Sequence, residues 1–361
     1  MYTEIIKIIE GGLSKDPQKV SNYAKMLADN LAKDGDGKLS DKINNLLKNN
    51  KSQAVYLDQL LSTPVDQETR LSIVDFVMPE ENNIDLVFSE QLDNAIQQFI
   101  TMNAHQNALR SAGLDVNSSL LLYGPPGCGK TSVARYISKT LNLPLVVARL
   151  DSLVSSLLGN TSKNIRRVFE FASKHPCILF LDEFDAIAKA RDDQHELGEL
   201  KRVINSLLQN IDEFTTNNIL IAATNHHELL DKAIWRRFNH IIEIGLPSKD
   251  EIPALLNLYF QNNDCDFLAD HKKLDKIINL IENLSPANIR TIVQNSIAQK
   301  IITAKNSITF EDFILQIFLF NQHGSYTQEQ LINFFNNQGV PQTTISELFN
   351  ISIRQVRNVL K

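Results

Sequence analysis

The eight residues GPPGCGKT at positions 124–131 constrain this chain more than any other stretch. They follow the apolar run LLLY of residues 120–123 and open a helical stretch, which is the strand, loop and helix context that a phosphate-binding loop requires. Glycines let successive backbone N–H groups turn inward around a β/γ-phosphate, and the helix N-terminus adds its partial positive charge. Gly124, Pro125, Pro126, Gly127, Cys128, Gly129, Lys130, Thr131 and Ser132 are therefore the expected cradle, with Lys130 neutralising oxygens and Thr131 offering a hydroxyl to Mg²⁺. A Gly-rich turn of no special use is the competing reading, and the full pattern between a strand and a helix counts against it. Cys128 falls where side-chain identity matters little, and it reads as a spacer rather than a redox switch.

A loop of this kind needs a parallel sheet covered by helices, and the surrounding sequence has that pattern. Short apolar runs at 120–123, 145–148, 178–181, 219–223 and 241–244 alternate with helical stretches. Residues 84–246 are thus expected to form an α/β core. Helical periodicity returns after Pro247, through 252–260, 274–281, 289–302 and 310–320, and marks an all-α segment at 247–321. Residues 1–80 carry apolar positions at helical spacing, such as Tyr23, Met26, Leu27 and Leu31, and are expected to form a small helical domain, with a solvated linker at 78–83. The dipeptide repeat Asp34-Gly-Asp36-Gly is not a calcium loop, because setting Gly37 sixth puts Ala32 first and Ile43 twelfth, where carboxylates are needed. Residues 322–361 form a helical tail, its last part reading as two short helices around a turn at Asn350.

Composition narrows the remaining classes. The net charge of −6 offers no overall basic field for nucleic acid or anionic membrane. The three cysteines, Cys128, Cys177 and Cys265, lack a CxxC pair and speak for a reducing compartment rather than disulfides or zinc. The N-terminus does not have the order of a signal peptide, and no apolar run nears the roughly 18 residues of a membrane helix. A cytoplasmic chain with no membrane partner is expected.

The strand ILFLDEFD at 178–185 ends in acids, which sets Asp182 and Glu183 at the carboxyl edge of the sheet beside the phosphate loop. Asp182 can hold Mg²⁺ mainly through water, and Glu183 can orient and polarise an attacking water. The stretch NILIAATN ends a further strand in Asn225, a short amide able to reach both γ-phosphate and water. His226 and His227 would point apart in an extended segment and read as a solvated loop rather than a metal site, while Trp235 reads as packing.

Taken together, GPPGCGKT, ILFLDEFD, IAATN and DKAIWRRF resemble the AAA+ superfamily of ATPases, and more closely its AAA subgroup, over residues 84–320. The resemblance implies an α/β P-loop fold with sheet order 5-1-4-3-2, a helical lid at 247–321, and a homo-oligomeric, hexameric ring with ATP and Mg²⁺ between neighbours. It implies that Lys130 and Thr131 bind phosphate and Mg²⁺, that Asp182 and Glu183 are the Walker B pair, that Asn225 is sensor 1, and that Arg236 and Arg237 are arginine fingers. Planar guanidinium forks supplied from the next subunit would make hydrolysis depend on assembly. Three departures stand out. Leu157, in Leu157-Leu158-Gly159, takes the place of the usual pore aromatic; LSPANIR offers either Ala287 or Arg290 at the sensor 2 position; and IDLVF at 84–88 replaces the usual glycine-containing segment before the adenine pocket.

The tail TTISELFNISIRQVRNVLK resembles a helix-turn-helix, with Ser352, Arg354, Gln355 and Arg357 on its second helix able to meet phosphates and base edges. A partner or oligomerisation module fits the same tail. The expected function is ATP hydrolysis in a ring, coupled to remodelling or regulation of a macromolecular partner, whether protein client or partner enzyme, a protease among them. The alternatives are a DNA-associated ATPase acting through the tail and a slow ATP-gated scaffold.

Overall fold

The computed structural model describes residues 2–13, 64, 73–79, 86–114, 117–150, 158–186, 197–215, 218–261, 263–322 and 324–361, with short helical pieces between 20 and 43. The turn expected at 34–37, the linker residues 80–83 and the Leu157 position lie outside the described residues. The chain divides into two compact units, Met1–Phe76 and Val77–Lys361.

The first unit opens with α1 (Tyr2–Leu13), whose Glu4 accepts a hydrogen bond from Asn30 Nδ2 at 3.2 Å. Ala28 and Leu31 are buried there, while Ile5, Ile6 and Ile9 of α1 are exposed. Within the 1–80 segment read as a small helical domain, Asp75–Val77 form a strand, β1. Three residues are too few to show a period of their own, and an aromatic beside a β-branched residue favours the extended backbone.

The second unit is built on β2 (Ser119–Tyr123), β3 (Leu145–Arg149), β4 (Ile178–Asp182), β5 (Ile219–Thr224) and β6 (His240–Glu243). The sheet order is β1-β3-β4-β5-β2-β6. Counting from β2, the five expected strands therefore stand in the order 5-1-4-3-2, and the β2–β5, β2–β6, β3–β4 and β4–β5 pairs are parallel. Register puts Leu121 of β2 between Ala222 of β5 and Ile241 of β6. Strands covered on both faces read as unbroken apolar runs, and Leu120, Leu121, Leu122, Ile178, Leu179 and Phe180 are accordingly fully buried. The helices of this unit up to its last strand are α2 (Glu90–Ala104), α3 (Gln106–Ser111), α4 (Lys130–Leu141), α5 (Leu158–Ser173), α6 (Leu197–Phe214) and α7 (Lys232–Trp235). This connectivity brings the carboxyl ends of β2, β4 and β5 side by side, and each of them carries one part of the site.

After β6 the chain is helical: α8 (Ile252–Phe260), α9 (His271–Ile281), α10 (Pro286–Ile302) and α11 (Phe310–Gln322), then α12 (Gln328–Asn337), α13 (Gln342–Leu348) and α14 (Ile353–Val359). Lid and tail share one apolar cluster, in which Leu331, Ile332, Phe335, Val340, Ile345 and Val356 join Phe260, Phe267, Phe313 and Ile317. Phe267 stacks on Phe313 with ring centroids 5.0 Å apart. Asn350 turns the chain between α13 and α14 in the left-handed region, at φ 51°. Ser352 and Gln355, two of the residues able to meet phosphates and base edges if the tail is a helix-turn-helix, close a capping box on α14: the Ser352 hydroxyl accepts from Gln355 N–H at 3.3 Å, and Gln355 Oε1 accepts from Ser352 N–H at 2.8 Å. Satisfying the orphan donors of a short helix occupies both side chains. No helix among the described residues is long and apolar enough to cross a membrane.

Candidate active site

The loop between β2 and α4 is held by backbone. Gly124 lies at φ 143°, and a Cβ there would stand 2.1 Å from the Ile244 carbonyl oxygen, so the turn out of β2 has room for glycine only. Ile244 N–H donates to Tyr123 O at 2.8 Å and keeps that carbonyl in place. α4 begins at Lys130 without a side-chain cap, although α2, α9, α10, α12 and α14 are capped by Ser89, Asp270, Ser285, Thr327 and Ser352. Uncapped N–H groups at a glycine-lined helix start are what a phosphate would satisfy.

Lys130 is buried, and its ammonium donates to Gly124 O at 2.7 Å and Pro125 O at 2.8 Å. Burial lowers its pKa, opposed by the nearby carboxylates of Asp182 and Asp185. Burial likewise raises the pKa of the Cys128 thiol, which leaves it a poor nucleophile at neutral pH and agrees with a spacer. Thr131 Oγ1 donates to Asp182 Oδ2 at 3.1 Å, so the two residues expected at Mg²⁺ already face each other across the loop and the end of β4. A hydroxyl and a carboxylate at this spacing are oxygen donors of the kind that Mg²⁺ takes.

Glu183 follows directly, in the left-handed region at φ 54°. Its N–H donates to Asp182 Oδ1 at 3.0 Å. Phe184 N–H donates to Ala223 O at 2.9 Å, and Asp185 Oδ1 accepts from Thr224 Oγ1 at 3.1 Å and Asn225 N–H at 3.2 Å. The ends of β4 and β5 are thereby joined, with Glu183 on one and Asn225 on the other. Asp185 was read only as part of the strand-end motif; its signal was a third acid inside a run whose neighbours Phe184 and Ala186 are apolar.

Beside the loop, a cavity of about 520 Å³ is lined by Leu86, Val87, Phe88, Gly127, Ala287 and Arg290, among others. Part of the IDLVF segment thus walls a pocket large enough for a nucleoside. The lid closes it from the other side: Ala287 N–H donates to Gly127 O at 3.1 Å, and a Cβ on Gly127 would meet Ser285 Oγ at 2.7 Å. Both sensor 2 alternatives therefore reach the cavity, Ala287 through its backbone and Arg290 one turn later with a charge that acts on Tyr259.

The arginines differ from each other. Arg236 is exposed. Arg237 donates to Asp212 Oδ1 and Oδ2 at 3.2 and 3.3 Å and to Ala233 O at 2.8 Å, which fastens the end of α7 to α6. Trp235 donates to Leu230 O at 3.3 Å and meets the Tyr123 ring edge-on at 5.7 Å, and Tyr123 in turn donates to Glu243 Oε2 at 3.1 Å. His226 and His227 do not point apart. Residues His227–Leu229 coil into a 3₁₀ turn, which carries both rings to the Glu228 carboxylate, at 3.0 and 3.6 Å.

Known proteins with similar sequences agree on one family. The family model for the "ATPase family associated with various cellular activities (AAA)" matches residues 120–246. The uncharacterised AAA family ATPase y4kL of Sinorhizobium fredii is 39% identical over 246 residues, which cover 68% of this chain and 73% of that protein. A proteasome-activating nucleotidase of Methanoregula boonei is 29% identical over 274 residues, 73% of this chain and 62% of the nucleotidase. The peroxisomal ATPase pex6 of Schizosaccharomyces pombe is 29% identical over 250 residues, 67% of this chain but 26% of pex6.

Proposed function

From the premise that this chain belongs to the AAA family of ATPases, we propose that it hydrolyses ATP in a homo-oligomeric, hexameric ring and uses the cycle to remodel a protein partner. The observation that carries the site reading is the facing of Thr131 and Asp182 at 3.1 Å beneath an uncapped helix start, with Glu183 and Asn225 on the two strand ends beside them. Residues 124–132 cradle the phosphates, and the cavity walled by Leu86, Val87 and Phe88 takes the nucleoside. Thr131 and Asp182 hold Mg²⁺, which when bound neutralises charge on the phosphate oxygens. Glu183 accepts a proton from the attacking water, and Asn225 orients that water against the γ-phosphate. Lys130 leaves the two loop carbonyls for phosphate oxygens, a favourable exchange for a buried ammonium. Arg290 is the sensor 2 cation, since Ala287 offers only its backbone.

Arg236 is the group offered to the neighbouring subunit's ATP, and Arg237, bound to Asp212, holds the turn that presents it. A protein rather than nucleic-acid client is supported by relatives named as proteasome-activating nucleotidases and by the net charge of −6. The chain spans less than two thirds of those nucleotidases. A second reading, DNA contact through the tail, has in its favour that Arg354 and Arg357 are both exposed on α14. The test is Glu183→Gln. An amide cannot take the proton, so turnover should fall by about 100-fold or more while ATP affinity holds. Protein clients should then copurify in the presence of ATP and be released on its removal. Wild-type turnover in this variant would remove Glu183 as the base.

A further inference from the structure

We propose that Asp185 is a positioning residue for ATP hydrolysis, fixing Asn225 in place relative to Glu183. The proposal rests on the assignment of Asn225 to the hydrolytic site. Asp185 is 3% exposed, and one of its oxygens, Oδ1, accepts both Thr224 Oγ1 at 3.1 Å and Asn225 N–H at 3.2 Å. The Thr224 hydroxyl in turn accepts from His226 N–H at 3.1 Å, so three consecutive residues at the end of β5 are tied through one carboxylate. On its own side, Asp185 is anchored by Phe184, which is fully buried, packs edge-on to Phe238 at 5.8 Å, and donates its N–H to Ala223 O at 2.9 Å.

A charge-assisted hydrogen bond in a buried setting is stiffer than a neutral one at the surface. The amide of Asn225 sits on a short side chain, and its place is set by the backbone on either side. That backbone has left the sheet ladder, since β5 ends at Thr224, and Asp185 replaces the lost ladder bonds. The consequence is a separation of roles. Asp185 is buried and spends one carboxylate oxygen on the end of β5, so through Asn225 it bears on the geometry of attack more than on ground-state binding of ATP.

The experiment is a double-mutant cycle on the full-length assembled protein, measuring kcat, KM and equilibrium affinity for ATP. Asp185→Ala removes the acceptor. Thr224→Val removes the hydroxyl at nearly constant shape and keeps the Asp185 charge, which also acts on Lys130. Asp185→Ala should lower kcat by about 30-fold and Thr224→Val by about 5-fold, with ATP affinity within about twofold of wild type. In an Asn225→Ala background each should cost less than about twofold more, because the group that they position is gone. If Asp185→Ala does not fold, the Thr224→Val arm decides alone. Equal losses with and without Asn225, or unchanged kcat in Thr224→Val, would overturn the proposal. Wild-type turnover in Asn225→Ala would overturn it by another route, through the assignment of Asn225 itself.

Discussion

Gly124 shows how little freedom one residue of the site has. Its φ of 143° is outside the range of residues with a Cβ, and the atom that a methyl would strike, Ile244 O, is backbone held by the Ile244–Tyr123 bond. Neither side can yield without separating β2 from β6. Gly124→Ala should therefore destabilise by about 3 kcal/mol or more, read as a fall in the thermal midpoint and a loss of soluble protein. A thermal midpoint within a degree of wild type would show that the loop can re-form around a methyl. Glu183 also holds an unusual backbone, at φ 54°, a strain of roughly 1–2 kcal/mol for a residue with a Cβ. Asp182 Oδ1, accepting from its N–H at 3.0 Å, contributes to holding it there.

At the scale of elements, the tail matters most. It was read as a segment distinct from the lid, but α12, α13 and α14 supply Phe335, Ile345 and Val356 to the lid's own core, and Phe335 meets Phe349 edge-on at 5.1 Å. Truncation after Gln322 should thus expose lid core and give aggregated or poorly folded protein, whereas an independent module could be removed with ATPase activity intact. Sedimentation and turnover of the truncated chain distinguish the two. The same packing bears on DNA. With Ser352 and Gln355 engaged in the cap, Arg354 and Arg357 remain for phosphates. If the tail meets duplex DNA, Arg354→Ala with Arg357→Ala should reduce binding and flatten the slope of log K against log salt by about 2. Absence of duplex affinity in the wild-type assembly at low salt with ATP would assign the tail to proteins.

For the whole molecule, the decisive question is whether a site is completed by a second subunit. If Arg236 acts in trans, Arg236→Ala keeps its phosphate loop, Glu183 and Asn225 but lacks the neighbour's charge in the transition state. Mixed with Glu183→Gln, whose Arg236 is intact, it should recover part of the wild-type ATPase rate, because some neighbours then join an intact Glu183 to an intact Arg236. Two inactive preparations would together be active. Fluorescence transfer between labelled subunits establishes that they exchange. With exchange established and no recovery at any mixing ratio, Arg236 acts within its own subunit or not at all.

The sequence by itself determined the parts whose physics is local. GPPGCGKT carries its own turn, helix start and charge, and the apolar runs of 120–123 and 178–181 announce buried parallel strands because both faces of such strands are covered. Likeness to a family then supplied the strand order, which the parallel pairs of β2 with β5 and β6 match. Tertiary structure decided whatever joins distant segments. Asp185 meets Asn225 across 40 residues, and no pattern along the chain distinguishes an acid that ties two strand ends from one in a solvated turn. Arg237 found Asp212, 25 residues away, and so parted from Arg236, its neighbour in the motif. The tail was likewise drawn into the lid's core. In each case the polar or apolar partner that satisfies a group is fixed by what folding brings within about 3–4 Å of it, and sequence spacing does not encode that distance.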